Sequence, residues 1–298
     1  MAARTWLIVG TIPEPNCEVI QTHFSVKEKA LISDNLKMRL PLARGLGALV
    51  GASLYTLESL ATSAVDLEIL LAGDVGSGSG SRKLYATLIE RLAKFPALAG
   101  ITFHYLYPDV DWHNRILLAV EELNPKPLLV ADAGFMYAAK MSGYADHYDL
   151  FTPDHGELAF LADANAPHPF YTRGFFLDNN RSTRELINKA YADNNAAKWL
   201  IVKGRTDAIV CQGEIKAQVA DPMVPAMEAI GGTGDLVVGV ASGLLAAGFD
   251  LNAASLLAAQ ACRMAGALAQ PTPATQIEEI LPFIQKAINE LLNERQEV

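Results

Sequence analysis

The sequence predicts a three-layer α/β/α domain around a mainly parallel sheet. Three observations predict it. Short apolar runs alternate with amphipathic helical stretches along most of the chain, the pattern of crossover units that feed parallel strands. The 298 residues are 51% hydrophobic and 19% charged, enough to bury one large core. No fixed-period repeat or long polar linker divides the chain, so residues 1–298 read as a single domain.

The elements follow in order. TWLIVG (5–10) reads as a buried strand, and residues 11–66 carry the weakest pattern, interrupted by the proline-containing TIPEPN and RLPLARGLG. Within that region GLGALVG (45–51) reads as a close-packed turn or helix contact. LEILLAG (67–73) is a strand, and RKLYATLIERLAKF (82–95) a helix with Leu84, Leu88, Leu92 and Phe95 on one face. Strand GITFHYL (100–106), helix NRILLAVEEL (114–123), strand KPLLVAD (126–132), short strand YDLF (148–151) and helix DHGELAFLAD (154–163) come next. In 181–194, Ser182 followed by Glu185 forms a capping-box signature for another helix. WLIVKG (199–204) and residues 207–220 read as a strand followed by a hairpin. Helices are expected over 235–247, 251–269 and about 276–293, the last with Ile277, Ile280, Leu281, Ile284, Ile288 and Leu291 as its apolar face.

The formal net charge of -9 argues against a basic nucleic-acid face and for small-molecule ligands. Three dispersed cysteines suggest no disulfide framework and fit a reducing cytosol. The apolar run near the start is too short for a signal-peptide core, and no stretch approaches the length of a membrane span. A cytoplasmic protein with no membrane partner is expected.

In open parallel sheets ligands gather at the carboxyl ends of strands, near helix N-termini. The strongest candidate is Gly231-Gly232-Thr233-Gly234-Asp235, set directly before an apolar helix. Glycines admit an anion close to the backbone, and helix N-terminal N–H groups point at it. The alternative is a tight turn with Asp235 as N-cap. GDVGSGSGSRK (73–83) lacks the P-loop pattern, and its Gly76 and Gly78 either face a ligand or belong to a solvent loop. Asp154, His155 and Glu157 stand at a helix start, where acids complement the dipole or act on phosphates through Mg²⁺. Lys203 either snorkels from a strand end or meets phosphates. Asp109, Asp111 and His113 read as an exposed loop with a helix cap rather than a metal cluster, and Met136, Tyr137, Met141, Tyr144 and Tyr148 as core or rim.

GGTGD leading into Leu236-Val-Val-Gly239 resembles the signature of the ribokinase-like superfamily, and more closely its carbohydrate-kinase branch of ATP- or ADP-dependent NAD(P)H-hydrate dehydratases. FTPDHGELAFLA (151–162) is similar to that family's TPHPGE element, LIVKGRTDAIV (200–210) to its lysine-bearing strand pair, LLVADAG (128–134) to its strand ending in Asp-Ala, and 274–291 to its closing helix, in matching order over about 67–293. The resemblance implies a ribokinase-like fold, with Asp235 as the base for an acceptor hydroxyl and Gly232, Thr233 and Gly234 as an anion hole. It also implies nucleotide contacts from Lys203, Gly204 and Gly231, Mg²⁺ oriented by Glu157, and a substrate side formed by Asp132, Asp154, His155, Gly76 and Gly78. A homo-oligomer using ATP or ADP on a small-molecule substrate is implied as well. The activity it implies is phosphorylation of the hydroxyl of hydrated NAD(P)H, with loss of phosphate. The alternatives are a kinase of a small alcohol (a sugar or vitamin precursor) and a non-catalytic nucleotide binder. The chain departs from the family at Asp154-His155, where His-Pro is usual, at 72–81, and in 1–66, where the family's substrate element is not recognisable.

Overall fold

The computed structural model describes residues 4–33, 35–36, 38–62, 65–95, 98–166 and 182–296. Strand β1 (Arg4–Ile12) opens the chain. The weakly patterned region then supplies β2 (Ile20–Thr22), β3 (Phe24–Lys27), β4 (Ala30–Ser33), β5 (Arg39–Pro41) and α1 (Leu46–Ser59). There follow β6 (Val65–Gly73), α2 (Ser79–Leu92), β7 (Leu98–His104), α3 (Val110–Glu121), β8 (Leu128–Ala131), α4 (Ala133–Met141), β9 (Leu150–Phe151) and α5 (His155–Leu161). The rest is α6 (Thr183–Ala192), β10 (Trp199–Val202), β11 (Asp207–Cys211), β12 (Glu214–Val219), α7 (Thr233–Ala247), α8 (Leu251–Ala269), α9 (Ile277–Ile280) and α10 (Phe283–Gln296).

One sheet runs β12-β11-β10-β9-β8-β7-β1-β6-β2 and a small antiparallel sheet runs β3-β4-β5. From β10 through β6 the large sheet is parallel, and β2, β11 and β12 attach antiparallel at its two margins. Strand alternation sorts the core into two faces. Trp6, Ile8, Ile69 and Leu71 pack against α1, α7, α8 and α10. Leu7, Val9, Leu70 and Ala72 pack against α2 to α6. This is the three-layer arrangement that the alternation predicts.

The differences in the elements have local causes. The closing helix is broken into α9 and α10 around Leu281-Pro282, because proline offers no N–H to continue a helix. Helix α2 starts at Ser79, earlier than its apolar pattern, because Ser81 N and Oγ both donate to Asp74 Oδ2 at 2.9 Å. His113 lies within α3, fully buried between Tyr148 OH (2.9 Å) and Ser142 Oγ (3.0 Å), and not in an exposed loop; Asp109 does cap that helix. Ser182 and Glu185 form the capping box of α6, while Arg181 lies outside the described residues.

Helices α1 and α7 matter most for function. A Cβ on Gly239 would stand 2.3 Å from Leu49 O and 2.6 Å from Ala52 Cβ, and Ser53 Oγ donates to Gly239 O at 2.9 Å. One turn on, Gly243 meets Thr56 in the same way. GLGALVG is therefore a close helix contact. The two helices pack side by side in the same direction and bring both N-termini, the positive ends of their dipoles, to one place.

Candidate active site

Helix α7 opens at Gly232, which has φ 102° and no side-chain cap. Asp235 is its third residue and not its N-cap, so the turn reading of GGTGD is replaced by an open helix start. Among the described residues nothing accepts from the N–H groups of Thr233, Gly234 or Asp235. The glycine run is accessible, while the Asp235 side chain is buried beneath it.

Four strand ends converge there. His104 ends β7, Asp132 follows β8, Thr152 follows β9, and Lys203 follows β10. Asp132 Oδ1 accepts from Thr152 Oγ1 at 2.6 Å and from Lys203 Nζ at 3.1 Å. Asp132 Oδ2 lies 3.4 Å from His104 Nδ1, and His104 Nε2 lies 3.0 Å from Asp235 Oδ1. The other Asp235 oxygen accepts from the Gly45 N–H at 2.5 Å. Lys203, Asp132, His104 and Asp235 thus form one buried chain of alternating charge, ending on the N-terminus of α1. His104, Asp132 and Asp235 offer ligand atoms within 4.8 Å of one another. Lys203 already balances Asp132, however, and both imidazole nitrogens are turned to carboxylates, so the set reads as an ion chain and not as a metal cage.

Burial opposes charge on His104, but the Asp132 and Asp235 carboxylates beside its two nitrogens outweigh it and hold the imidazole up at about 9. Burial likewise opposes the Asp132 anion, yet Lys203, His104 and Thr152 hold it well below the usual carboxylate range. Lys203 is raised above the ordinary lysine value, with Asp132 and Glu157 overcoming its desolvation.

Glu157 joins from α5. It is the third residue of a capping box: Glu157 N donates to Asp154 Oδ1 and Asp154 N to Glu157 Oε2, both at 2.8 Å. Tyr137 OH donates to the other oxygen at 2.7 Å, and Lys203 Nζ is 4.0 Å away. Burial pushes Glu157 up to about 7, with Asp132 and Asp154 adding to the effect and Lys203 opposing it. The helix-start reading of this residue holds, with Glu157 in the first turn and in the capping box.

Cations flank the glycine run. A Cβ on Gly234 would sit 3.3 Å from Lys203 Nζ, and one on Gly231 3.3 Å from Arg44 Cδ and 4.0 Å from Arg44 Nη1. Arg44 is exposed and makes no hydrogen bond or ion pair among the described residues. Tyr105, half exposed beside Gly45, has its hydroxyl pushed up to about 12 by burial, then Asp235 and Asp132, with Lys203 and Arg44 pulling the other way.

Other expected residues sit at the margin. Gly204 N donates to Asp207 Oδ1 at 2.9 Å, and Arg263 pins this loop through Asp207 Oδ2 (2.7 Å) and Gly204 O (2.8 Å). Asp154 is an exposed cap, and His155 is the partly exposed first residue of α5. Gly76 and Gly78 donate to Asp74 Oδ1 at 3.0 Å, and Gly78 abuts the Tyr107 ring. The structure shows no contact from Gly76, Gly78 or His155 to the chain of charges among the described residues. Sequence reasoning missed His104, Arg44, Gly45, Tyr105 and Tyr137. A signal existed for His104, a polar residue at the carboxyl end of an apolar strand, and for Gly45, a glycine before an apolar helical run.

The mainly parallel sheet with helices on both faces is shared with solved ribokinase-like structures. A ribokinase-like superfamily protein from Enterococcus faecalis aligns with TM-score 0.57 at 14% identity, over 98% of this chain and 87% of its own. Pyridoxal kinase from Lactobacillus plantarum aligns with TM-score 0.57 at 17% identity over 98% of each chain. The ADP complex of Bacillus subtilis pyridoxal kinase aligns with TM-score 0.52 at 13% identity, over 86% of this chain and 89% of its own. Within that class, residues 109–286 match the NAD(P)H-hydrate dehydratase model of the carbohydrate kinase group, and the chain belongs to this family. An uncharacterized protein of Methanocaldococcus jannaschii is 37% identical over 246 residues, covering 82% of this chain and all of the relative. The family match starts at 109, downstream of Gly76 and Gly78, whereas the motif resemblance was drawn from about 67. No helix of the described residues is long and apolar enough to cross a membrane.

Proposed function

We propose that the protein uses ATP or ADP to phosphorylate the hydroxyl of hydrated NAD(P)H and then releases phosphate, restoring NAD(P)H. The observation that carries this reading is the placement of Asp235. It lies in the first turn of α7, whose N–H groups at Thr233, Gly234 and Asp235 have no acceptor among the described residues, with Lys203 at Gly234 and Arg44 at Gly231.

Phosphoryl transfer needs positioning and charge neutralisation more than covalent assistance. In this reading Asp235 accepts the proton of the acceptor hydroxyl. The N–H groups of Thr233, Gly234 and Asp235 hold the oxygens of the transferred group, and Lys203 and Arg44 neutralise charge on either side of it. Gly204 and Gly231 give the nucleotide phosphates close access. Elimination then breaks the carbon–oxygen bond with assistance from the ring nitrogen lone pair, phosphate leaves with the bonding electrons, and loss of a proton from the adjacent ring carbon to solvent forms the carbon–carbon double bond of NAD(P)H.

Mg²⁺ fits at Glu157, whose buried carboxylate lies near two other acids and would be relieved by a divalent cation. Both its oxygens already accept hydrogen bonds, which favours an ion reached through water. The ion would neutralise nucleotide phosphate charge.

A second reading, a kinase of a small alcohol, is supported by one observation: Arg44, Gly45, His104 and Tyr105 all precede residue 109, where the family match begins. The test incubates protein, nucleotide and Mg²⁺ with hydrated NADH, following recovery of the NADH absorbance beside phosphate release. Stoichiometric recovery supports the dehydratase. A stable phosphorylated product from a small alcohol, without recovery, would replace it with the kinase. Nucleotide binding without turnover would leave a non-catalytic binder.

A further inference from the structure

His104 has no part in the scheme above, yet it lies at the centre of the charge chain. We propose that His104, as an imidazolium, is a positioning residue that balances the buried Asp235 carboxylate and aims it at the acceptor hydroxyl. The inference rests on the reading of Asp235 as the base.

The buried surroundings favour the charged ring. A neutral imidazole has one N–H and one lone-pair nitrogen. Here each ring nitrogen faces a carboxylate, Asp132 at 3.4 Å and Asp235 at 3.0 Å. A neutral ring of either tautomer would leave two carboxylates beside an uncharged group, in a place where the ring is 0% exposed. Only the doubly protonated ring puts a positive charge beside both carboxylates. Neither nitrogen meets its carboxylate at a good hydrogen-bond angle, so attraction between charges dominates.

The charge count agrees. Asp132 and Asp235 are two buried anions, and Lys203 supplies one cation, on the far oxygen of Asp132. Without a second cation the buried Asp235 anion would have only the Gly45 N–H and the positive ends of α1 and α7 to offset it. The titratable groups facing the ring are Asp132 from the β8–α4 junction, Asp235 from α7 and Tyr105 beside it, whose ring lies edge-on at 4.4 Å. Lys203 acts through Asp132, and Arg44 stands on the outer side near Tyr105. With Oδ1 on His104 and Oδ2 on the Gly45 N–H, the Asp235 carboxylate is fixed at both oxygens.

Two measurements test this. Ring-nitrogen NMR of the full-length protein, with His104 assigned by its loss in His104→Asn, should show an imidazolium at pH 7.5 and a ring that loses its proton at lower pH in Asp235→Asn. A neutral ring in the unmodified protein, or one indifferent to Asp235→Asn, overturns the proposal. With hydrated NADH and ATP, kcat/KM of the unmodified protein should fall as pH rises through about 9, where the imidazolium loses its proton, and His104→Asn should be at least about 10-fold slower and lack that limb, with the nucleotide KM unchanged. A uniformly lowered kcat with an unmoved limb reduces His104 to packing and also overturns it. Absence of turnover in the unmodified protein, by contrast, removes the proposed function on which the inference rests.

Discussion

Gly45 and Asp235 are 190 residues apart, yet the Gly45 N–H donates to Asp235 Oδ2 at 2.5 Å. That bond joins the N-terminus of α1 to the first turn of α7. The family motif at 231–235 thereby depends on a segment whose sequence carries no recognisable motif.

The first prediction concerns the base. Asp235→Asn keeps an oxygen for the Gly45 N–H but accepts no proton. kcat should fall by about 10²- to 10⁴-fold, the usual worth of a general base, while calorimetric nucleotide affinity changes little. Undiminished turnover would remove Asp235 from the chemistry.

Arg44 makes no hydrogen bond or ion pair among the described residues, so its removal should affect ligands and not folding. Arg44→Ala is expected to lower kcat/KM by roughly 10- to 100-fold, with Arg44→Lys recovering part of the loss. Unfolding midpoints should be unchanged. A shifted midpoint with unchanged kinetics would make Arg44 structural.

The glycine run gives graded outcomes. Gly232 has φ 102°, and a Cβ there would stand 3.2 Å from both Arg44 and Ile277. Gly232→Ala should cost about 1–3 kcal/mol in urea unfolding as well as activity. Gly234→Ala would press on Lys203 Nζ, a movable group. It should leave stability nearly intact while weakening nucleotide turnover.

Gly239→Val tests the helix pair. The added side chain would drive into Leu49 O and Ala52, and should destabilise the protein by about 1–3 kcal/mol through overpacking. Because α1 carries Gly45 to Asp235, kcat should fall along with the unfolding midpoint. Loss of stability alone would show that the N-termini stay aligned without the close contact.

Stability should also depend on pH in a defined window. His104 is raised to about 9 in the folded chain, against about 6.5 unfolded. A raised value contributes stability that is fully present below pH ~6.5 and is lost as pH rises through ~9. Denaturant titrations should show a decline on the order of 3 kcal/mol across that window, and His104→Asn should abolish it. A flat profile would mean that the folded ring carries no extra proton.

The sequence by itself determined the periodic part of the molecule. Alternation of apolar runs with amphipathic helices, visible from Leu67 onward, specified the layers, because local burial patterns encode which face of an element is inside. It also placed Gly231 to Asp235, Lys203 and Asp132 at strand ends or a helix start, since glycines and charges interrupting apolar runs are costly and conspicuous. Tertiary structure alone decided the partners. His104 looked like one polar residue in a strand until the β7–β8 pairing and α7 set carboxylates on both of its nitrogens. Arg44 and Gly45 lay in a proline-broken stretch whose short strands and helix take their shape from packing. Only the parallel contact of α1 with α7 brings them over the glycine run. Periodicity is a property of neighbours along the chain, whereas a network of buried charges is a property of neighbours in space.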